Sequence, residues 1–247
     1  MKYPILLVVC SGCAGTETGN AFDDPVPISI ALRPAGLKLA AVDAQGLAVE
    51  VTSAVGQVQR IDFDLPAGRT CAQLGDRVEG GVCVAEGLGE YFRFTGPWTL
   101  DVLGNEMPID GLAMPAGAYA RVAVRMQRAE DTAEVDDDDD LKQAVDMSLI
   151  IRGTAGAGSF TLHIRDTLDA RFEGQAALVA GSGLVPVLLE LPVATWFAGV
   201  DLGACVGSGN VLITDDSDDA CEAVYEGVTR AIERVGRLDD DDDDDDD

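Results

Sequence analysis

The stretch MSLIIRGTAGAGSFTLHI, residues 147–164, decides the fold class. Met147, Leu149 and Ile151 recur at every second position, and so do Phe160, Leu162 and Ile164. Successive side chains of a strand point to opposite faces, so a period of two marks half-buried strands. The segment Gly153 to Ser159 between them, holding three glycines, reads as a hairpin connection. His163 falls between Leu162 and Ile164, on the polar face with Thr161 and Arg165.

The same patterning extends outward in both directions. Upstream, Val26, Ile28, Ile30 and Leu32 share one face, and Val145 precedes the opening hairpin in step with it. Leu37, Leu39 and Ala41 follow, then a turn at Asp43-Ala44-Gln45-Gly46, then Leu47, Val49 and Val51. Ile61, Phe63 and Leu65 form the next set, with Asp62 and Asp64 expected to face out. Residues 66 to 90 read as loop, with Gly68, Gly75, Gly80 and Gly81 among them. Strands return at Phe92 and Phe94, and again at Trp98, Leu100 and Val102. Met114-Pro115-Ala116-Gly117-Ala118-Tyr119 leads into Ala120, Val122, Val124 and Met126, with Arg121 and Arg125 outward. Downstream lie Leu168, Ala170 and Phe172, then Val185, Val187, Leu189 and Leu191.

About ten short strands with frequent turns and no intervening helices predict an all-β fold, an antiparallel β-sandwich. Trp196 and Phe197, just after the last strand, suit a plug at the end of the core; an exposed ligand platform is the other reading. The final element has a different period. Cys221, Val224, Tyr225, Val228, Ala231, Ile232, Val235 and Leu238 recur at three and four, which predicts one C-terminal amphipathic α-helix. Asp215, Asp216 and Ser217 stand ready as cap acceptors at its start. Residues 25–238 thus form one β-sandwich domain with a C-terminal helix.

Charge bounds the partners. The formal net charge is −27, and the runs Asp136–Asp140 and Asp239–Asp247 carry fourteen of the 44 carboxylates. Without them thirty acidic residues still face seventeen basic ones. Such a surface repels phosphate backbones, whose binding requires Lys and Arg to displace counterions. Nucleic acid is therefore excluded as a partner, and adhesion to anionic lipid by charge alone is disfavoured. The nine terminal aspartates repel one another and have nothing apolar to bury, so 239–247 is expected to be a disordered tail. The acidic runs suit a solvated, solubilising surface, salt adaptation, or loose attraction of cations and basic protein surfaces.

The N-terminus, MKYPILLVVCSGCAGTETGN, has the layout of an export signal. Lys2, the apolar run Ile5 to Val9 and the small pair Ser11-Gly12 lead to Cys13. The apolar segment is far shorter than the roughly 20 residues a bilayer requires, so it predicts cleavage rather than a spanning helix. Cys13, preceded by small residues, is the expected lipidation site; Cys10 follows the bulky Val9 and suits processing less well. Residues 1–12 are then a signal peptide and 13–24 a lipidated flexible stalk. The run Gly15-Thr16-Glu17-Thr18-Gly19-Asn20 after the signal cysteine resembles the opening of many uncharacterised lipoproteins of myxobacteria and related high-GC Gram-negative bacteria. That resemblance covers under a tenth of the chain and implies export and lipidation. The Pro115-Ala116-Gly117-Ala118-Tyr119 turn is similar to turns in secreted immunoglobulin-like and transthyretin-like modules.

With Cys10 removed and Cys13 acylated, four cysteines remain, an even number in an exported chain. That favours disulfides over metal thiolates. Of the three possible pairings, Cys71–Cys83 and Cys205–Cys221 are expected, because each brackets a short polar excursion. Each would contribute about 3 kcal/mol by the chain-entropy model.

Candidate chemistry is sparse. His163 has no recognisable nucleophile elbow near it and reads as a surface histidine. Gly153, Gly156 and Gly158, and Gly207 with Gly209, lack the spacing of phosphate loops and suit hairpin turns. Asp215 to Glu226 places Asp215 and Asp219 at loop positions one and five of a calcium loop, but Ala220 stands where glycine is required. Asp136, Asp138, Asp140, Asp215 and Asp219 are therefore weak metal candidates, for loosely bound calcium at most. The sequence leads to a lipid-anchored protein of the cell envelope, at the outer membrane or cell surface, with a non-enzymatic binding or structural role. Two alternatives stand beside it: a secreted or surface hydrolase whose site is scattered in sequence order, and a low-affinity calcium-binding surface protein.

Overall fold

The computed structural model describes residues 25–34, 40–74, 80–86, 89–103, 109–128, 146–179 and 183–233. The signal segment, Cys13, the stalk, Asp136–Asp140 and Asp239–Asp247 lie outside the described residues. The fold is all-β and sandwich-like, with a C-terminal helix. Twelve strands are described: β1 (Val26–Pro34), β2 (Ala40–Val42), β3 (Ala48–Asp64), β4 (Gly81–Glu86), β5 (Gly89–Asp101), β6 (Ile109–Met114), β7 (Gly117–Met126), β8 (Leu149–Ala155), β9 (Gly158–Ile164), β10 (Leu168–Leu178), β11 (Val185–Leu191) and β12 (Asn210–Ile213). Three α-helices accompany them: α1 (Cys71–Leu74), α2 (Leu202–Val206) and α3 (Asp219–Glu233).

One sheet is small, in the order β11-β1-β6. The other is organised around β3, seventeen residues long. Along one edge β3 pairs first with β8, through Val49–Gly56, and then with β7, through Val58–Phe63. Its other edge carries β2 and β5, with β4 beyond β5. The large sheet therefore divides into two wings that share β3. One wing runs β8-β9-β12, and the other runs β10-β7-β3-β5-β4.

The division is held by polar groups with defined partners. Gln57 and Ser148 are almost fully buried where the wings part. Gln57 donates its backbone N–H to the Ser148 carbonyl at 3.0 Å and its Nε2 to Thr99 Oγ1 at 2.7 Å. Its carbonyl accepts from Gln127 N at 3.0 Å, and Ser148 Oγ donates to the Arg165 carbonyl at 3.1 Å. Buried polar groups are stable only when partnered, so this cluster specifies where one ladder ends and the next begins.

The core is built from the alternating apolar sets. Val26, Ile28, Ile30, Val49, Val51, Ile61, Phe63, Phe92, Phe94, Leu149, Ile151, Phe160, Leu162 and Ile164 are all buried. Phe63 meets Phe94 and Tyr119 edge-on at ring separations of 6.0 and 5.9 Å. Burying each such side chain stabilises the fold by about 1.5–3 kcal/mol. Trp196 and Phe197 plug the core, at 1% and 0% exposure, and Phe197 packs edge-on against Phe160 at 5.5 Å. The ligand-platform reading of these aromatics is thereby excluded. The Tyr119 hydroxyl donates to the Pro115 carbonyl at 2.9 Å and closes the turn into β7.

Both expected disulfides are present, Cys71–Cys83 and Cys205–Cys221. The second ties α2 to α3. Helix α3 buries Val224, Tyr225, Val228 and Ile232, as its period requires, and the Tyr225 hydroxyl donates to Asp166 Oδ2 at 2.9 Å. Burial first, and Asp166 second, push the Tyr225 phenol up to about 12.

Several expectations are corrected. The sheets are mixed rather than antiparallel, because β1 pairs β11 and β9 pairs β12 in parallel. These partners are far apart in sequence and need no hairpin. Helices α1 and α2 lie between strands, and α2 is capped by Asp201, whose side chain accepts from Ala204 N at 2.9 Å. The expected loop at 66–90 contains β4, and β6 and β12 are further strands with too little alternation to read. Gly207 ends helix α2 instead of turning a hairpin. At the start of α3, Ser217 Oγ accepts from Thr214 N at 2.8 Å, so it closes the preceding turn instead of capping the helix. Asp62 lies on the outer face, opposite the buried Ile61 and Phe63, but it is covered instead of solvated, at 7% exposure.

Candidate functional site

The β8–β9 hairpin builds the candidate site. Gly156, at φ +58°, turns β8 into β9 through two residues, a left-handed conformation that favours glycine. This fixes the register, with Arg152 opposite Thr161 and Ile150 opposite His163. Gly158 starts β9 where a Cβ would fall 2.5 Å from Val206 Cγ1 and 2.9 Å from the Gly207 carbonyl. Only glycine admits α2 and its following turn so close to the hairpin. From that turn β12 leaves parallel to β9, with Asn210 opposite Ser159 and Leu212 opposite Thr161.

Alternation then sorts the side chains. Ile151, Phe160, Leu162 and Ile213 point into the core. Arg152, Thr161, His163, Asn210 and Leu212 share the outer face, and with Val211 they line a groove of about 310 Å³. Ser159 Oγ donates to Asn210 Oδ1 at 3.0 Å, leaving the amide nitrogen as a further donor. Among the described residues the lining holds a guanidinium, an imidazole, a hydroxyl and an amide, and no carboxylate. Partial burial lowers the proton affinity of His163, and the charges of Arg152 and Arg165 lower it further, so its ring favours the neutral form. His163 is not the surface histidine that the sequence predicts but a half-buried wall of this groove. A hydrolytic triad needs a carboxylate to orient its histidine. Among the described residues none lines the groove.

The other wing bears a charged face. Asp62 on central β3 accepts from Arg93 Nε at 2.8 Å and Nη2 at 3.2 Å, and pairs with Arg60 at 3.0 Å. The stems of Arg93, from the neighbouring β5, and of Arg60, on β3 itself, cover the carboxylate, which explains its burial. Arg125 and Asp169 form a second two-point pair at 2.7 Å each, and Arg125 holds the Asp169 carboxyl below its usual range. Arg121 faces Glu173 at 3.7 Å. Tyr91 donates to Glu86, and Arg93 stacks 4.9 Å from its ring centre. Arg60, Arg93, Arg121 and Arg125 are thus each paired with a carboxylate of the protein, so this face stiffens the sheet.

Of the weak metal candidates, Asp136, Asp138 and Asp140 lie outside the described residues. Asp215 sits exposed in the turn after β12, and Asp219 is in the first turn of α3. Among the described residues no group of three or more His, Cys, Asp or Glu is placed to hold a metal ion. Arg152, Asn210 and Leu212 were not singled out from sequence. Placing the turn at Gly156-Ala157 would have put Arg152 opposite Thr161; the parallel strand β12 gives no comparable signal.

The class the fold and site define is a disulfide-stapled all-β protein with a polar groove on one sheet wing. Comparison with known proteins adds no relative: no family model, curated protein or solved structure matches the chain.

Proposed function

We propose that this is an exported, lipid-anchored binding module of the cell envelope, attached through Cys13 and non-enzymatic. The observation that carries the reading is the pairing of Cys71 with Cys83 and Cys205 with Cys221. Disulfides persist in oxidising compartments outside the cytosol, which agrees with the signal-like start of the chain. The acyl chains at Cys13 hold a strongly acidic domain at a membrane its surface charge would repel. The groove on the β8-β9-β12 wing is the binding surface.

Fractionation of cells expressing the wild-type chain and Cys13→Ala tests this. The wild type is expected with the membranes and the variant in the soluble exported fraction, with both disulfides intact in each. Equal partitioning of the two forms would overturn the anchor. A hydrolase is the second reading, favoured by the presence of His163 in a groove beside the Thr161 hydroxyl. Under that reading, turnover of a simple ester would be lost in His163→Gln.

A further inference from the structure

We propose that the outer face of the small sheet β11-β1-β6 rests on the lipid surface, with Pro27, Leu184, Pro186 and Leu188 against it. This orientation presupposes the Cys13 anchor of the proposed function. Alternation turns Ile28, Ile30, Val187 and Leu189 inward, where all four are buried. Pro27, Pro186 and Leu188 then face outward, and Leu184, one step before Val185, falls in the same phase. The outer face of a half-buried sheet is ordinarily polar. Here Leu184 is 61% exposed and Leu188 41%, and Val179, just after β10, is 63% exposed. Three of the six large apolar side chains exposed among the described residues thus fall within ten residues of chain.

Charge and connectivity select lipid as the occupant. The outer face of the five-strand wing carries paired arginines and carboxylates, and that of β8-β9-β12 carries Arg152 and His163. On the small sheet the acids Asp110 and Glu190 stand on the edge strands, Glu190 towards the far end of β11. The apolar residues lie at the opposite end, because Ile28 pairs with Val185 and so sets Leu184 beside Pro27. Residues 13–24 enter the fold at that same end, where β1 begins at Val26. Even fully extended they reach about 43 Å at most, so the anchor brings the apolar end of this sheet to the lipid. Tethering makes docking intramolecular, and two leucines that would bind only weakly alone then suffice. Strand pairing with a second copy is disfavoured. Among the described residues β11 pairs with β1 alone, but Pro186 has no N–H to donate and Glu190 charges the strand.

The test is hydroxyl-radical footprinting, read by mass spectrometry, of the full-length lipidated protein on phosphatidylcholine vesicles. Its reference is the full-length Cys13→Ala protein free in buffer. Oxidation of Leu184, Pro186 and Leu188 is expected to fall several-fold on vesicles, while Leu212, exposed on the β8-β9-β12 wing, is oxidised equally in both. Added salt leaves the protection unchanged, since apolar contact and not charge produces it. Leu184→Ser combined with Leu188→Ser withdraws apolar area outside the core and is expected to shift the docked fraction about tenfold or more towards the undocked state. Protection of Pro27 and Pro186 is then lost although the protein still floats with the vesicles. Oxidation of Leu184 and Leu188 as fast on vesicles as in buffer, or equal protection of Leu212, would overturn the docking. Protection that appears without vesicles and rises with protein concentration would assign the face to a second copy and overturn it too. Failure of the anchor looks different: the wild-type chain then does not float with the vesicles, which removes the anchor and this orientation with it.

Discussion

Asp62 lies beneath Arg93, with both carboxylate oxygens engaged, at 2.8 and 3.2 Å, and 7% of its surface exposed. Arg60 closes the other side at 3.0 Å. Removing the acid leaves two arginines crowded on one sheet face without their shared counter-charge. Asp62→Asn is expected to cost about 2 kcal/mol in urea unfolding, as an unsatisfied charged partner does. Glu226→Gln, which breaks the exposed i,i+4 pair with Arg230 at 3.2 Å, is expected to cost less than about 0.5 kcal/mol. Equal losses in the two variants would show that Asp62 is no better integrated than a surface pair.

Asp43 joins the β2–β3 turn to helix α2. Its Oδ1 accepts from Gln45 N and Leu47 N at 2.9 and 2.8 Å, and its Oδ2 from Gly203 N at 3.3 Å. Burial would raise this carboxyl, but the backbone donors together hold it below its ordinary 3.8. A carboxyl lowered on folding contributes stability above its unfolded value, and the contribution disappears as pH falls through the folded value. Asp43→Ala is therefore expected to lose about 2 kcal/mol near neutral pH, and the gap to wild type should narrow in acid below 3.8. Thermal unfolding of both proteins across that range is the check; a gap that widens in acid would reverse the sign of the argument.

The long strands show why the sequence was only partly legible. Val49 and Val51, and Ile61 and Phe63, each read from sequence as an apolar set belonging to a separate strand. They belong to one strand, β3, because its alternation slips twice, between Val51 and Ser53 and between Val58 and Arg60. Each slip moves the pattern to the other face, which in sequence looks like an interruption. Disulfide pairing and the terminal helix were readable, since both depend on local spacing. The groove was not, because Leu212 and Asn210 reach Thr161 and Ser159 only through a parallel pairing across about fifty residues.

His163 should titrate below its ordinary 6.5, first because of burial and then because of Arg152 and Arg165. The unfolded chain then takes up the proton more readily than the folded one, so stability is lost as pH falls through 6.5 towards the folded value. Arg152→Gln is expected to raise the ring's midpoint. NMR titration of the single histidine decides it, and a midpoint above 6.5 in the wild type would contradict the groove's positive field.

The Cys205–Cys221 bridge joins α2 to α3 across sixteen residues. Replacing both cysteines with alanine is expected to cost about 3 kcal/mol, on the chain-entropy model for a loop of this size. Hydrogen exchange should show the loss concentrated in α3. Uniform loss of protection across β3 and β8 would mean instead that the helix and the sheets unfold as one unit.

Intact-mass analysis of protein extracted from membranes tests export, anchoring and oxidation together. The expected mass is that of a chain beginning at Cys13, increased by acyl groups and reduced by the four hydrogens of two disulfides. A mass that includes Met1, lacks lipid, or shows free thiols at Cys71, Cys83, Cys205 and Cys221 would contradict a lipid-anchored envelope protein.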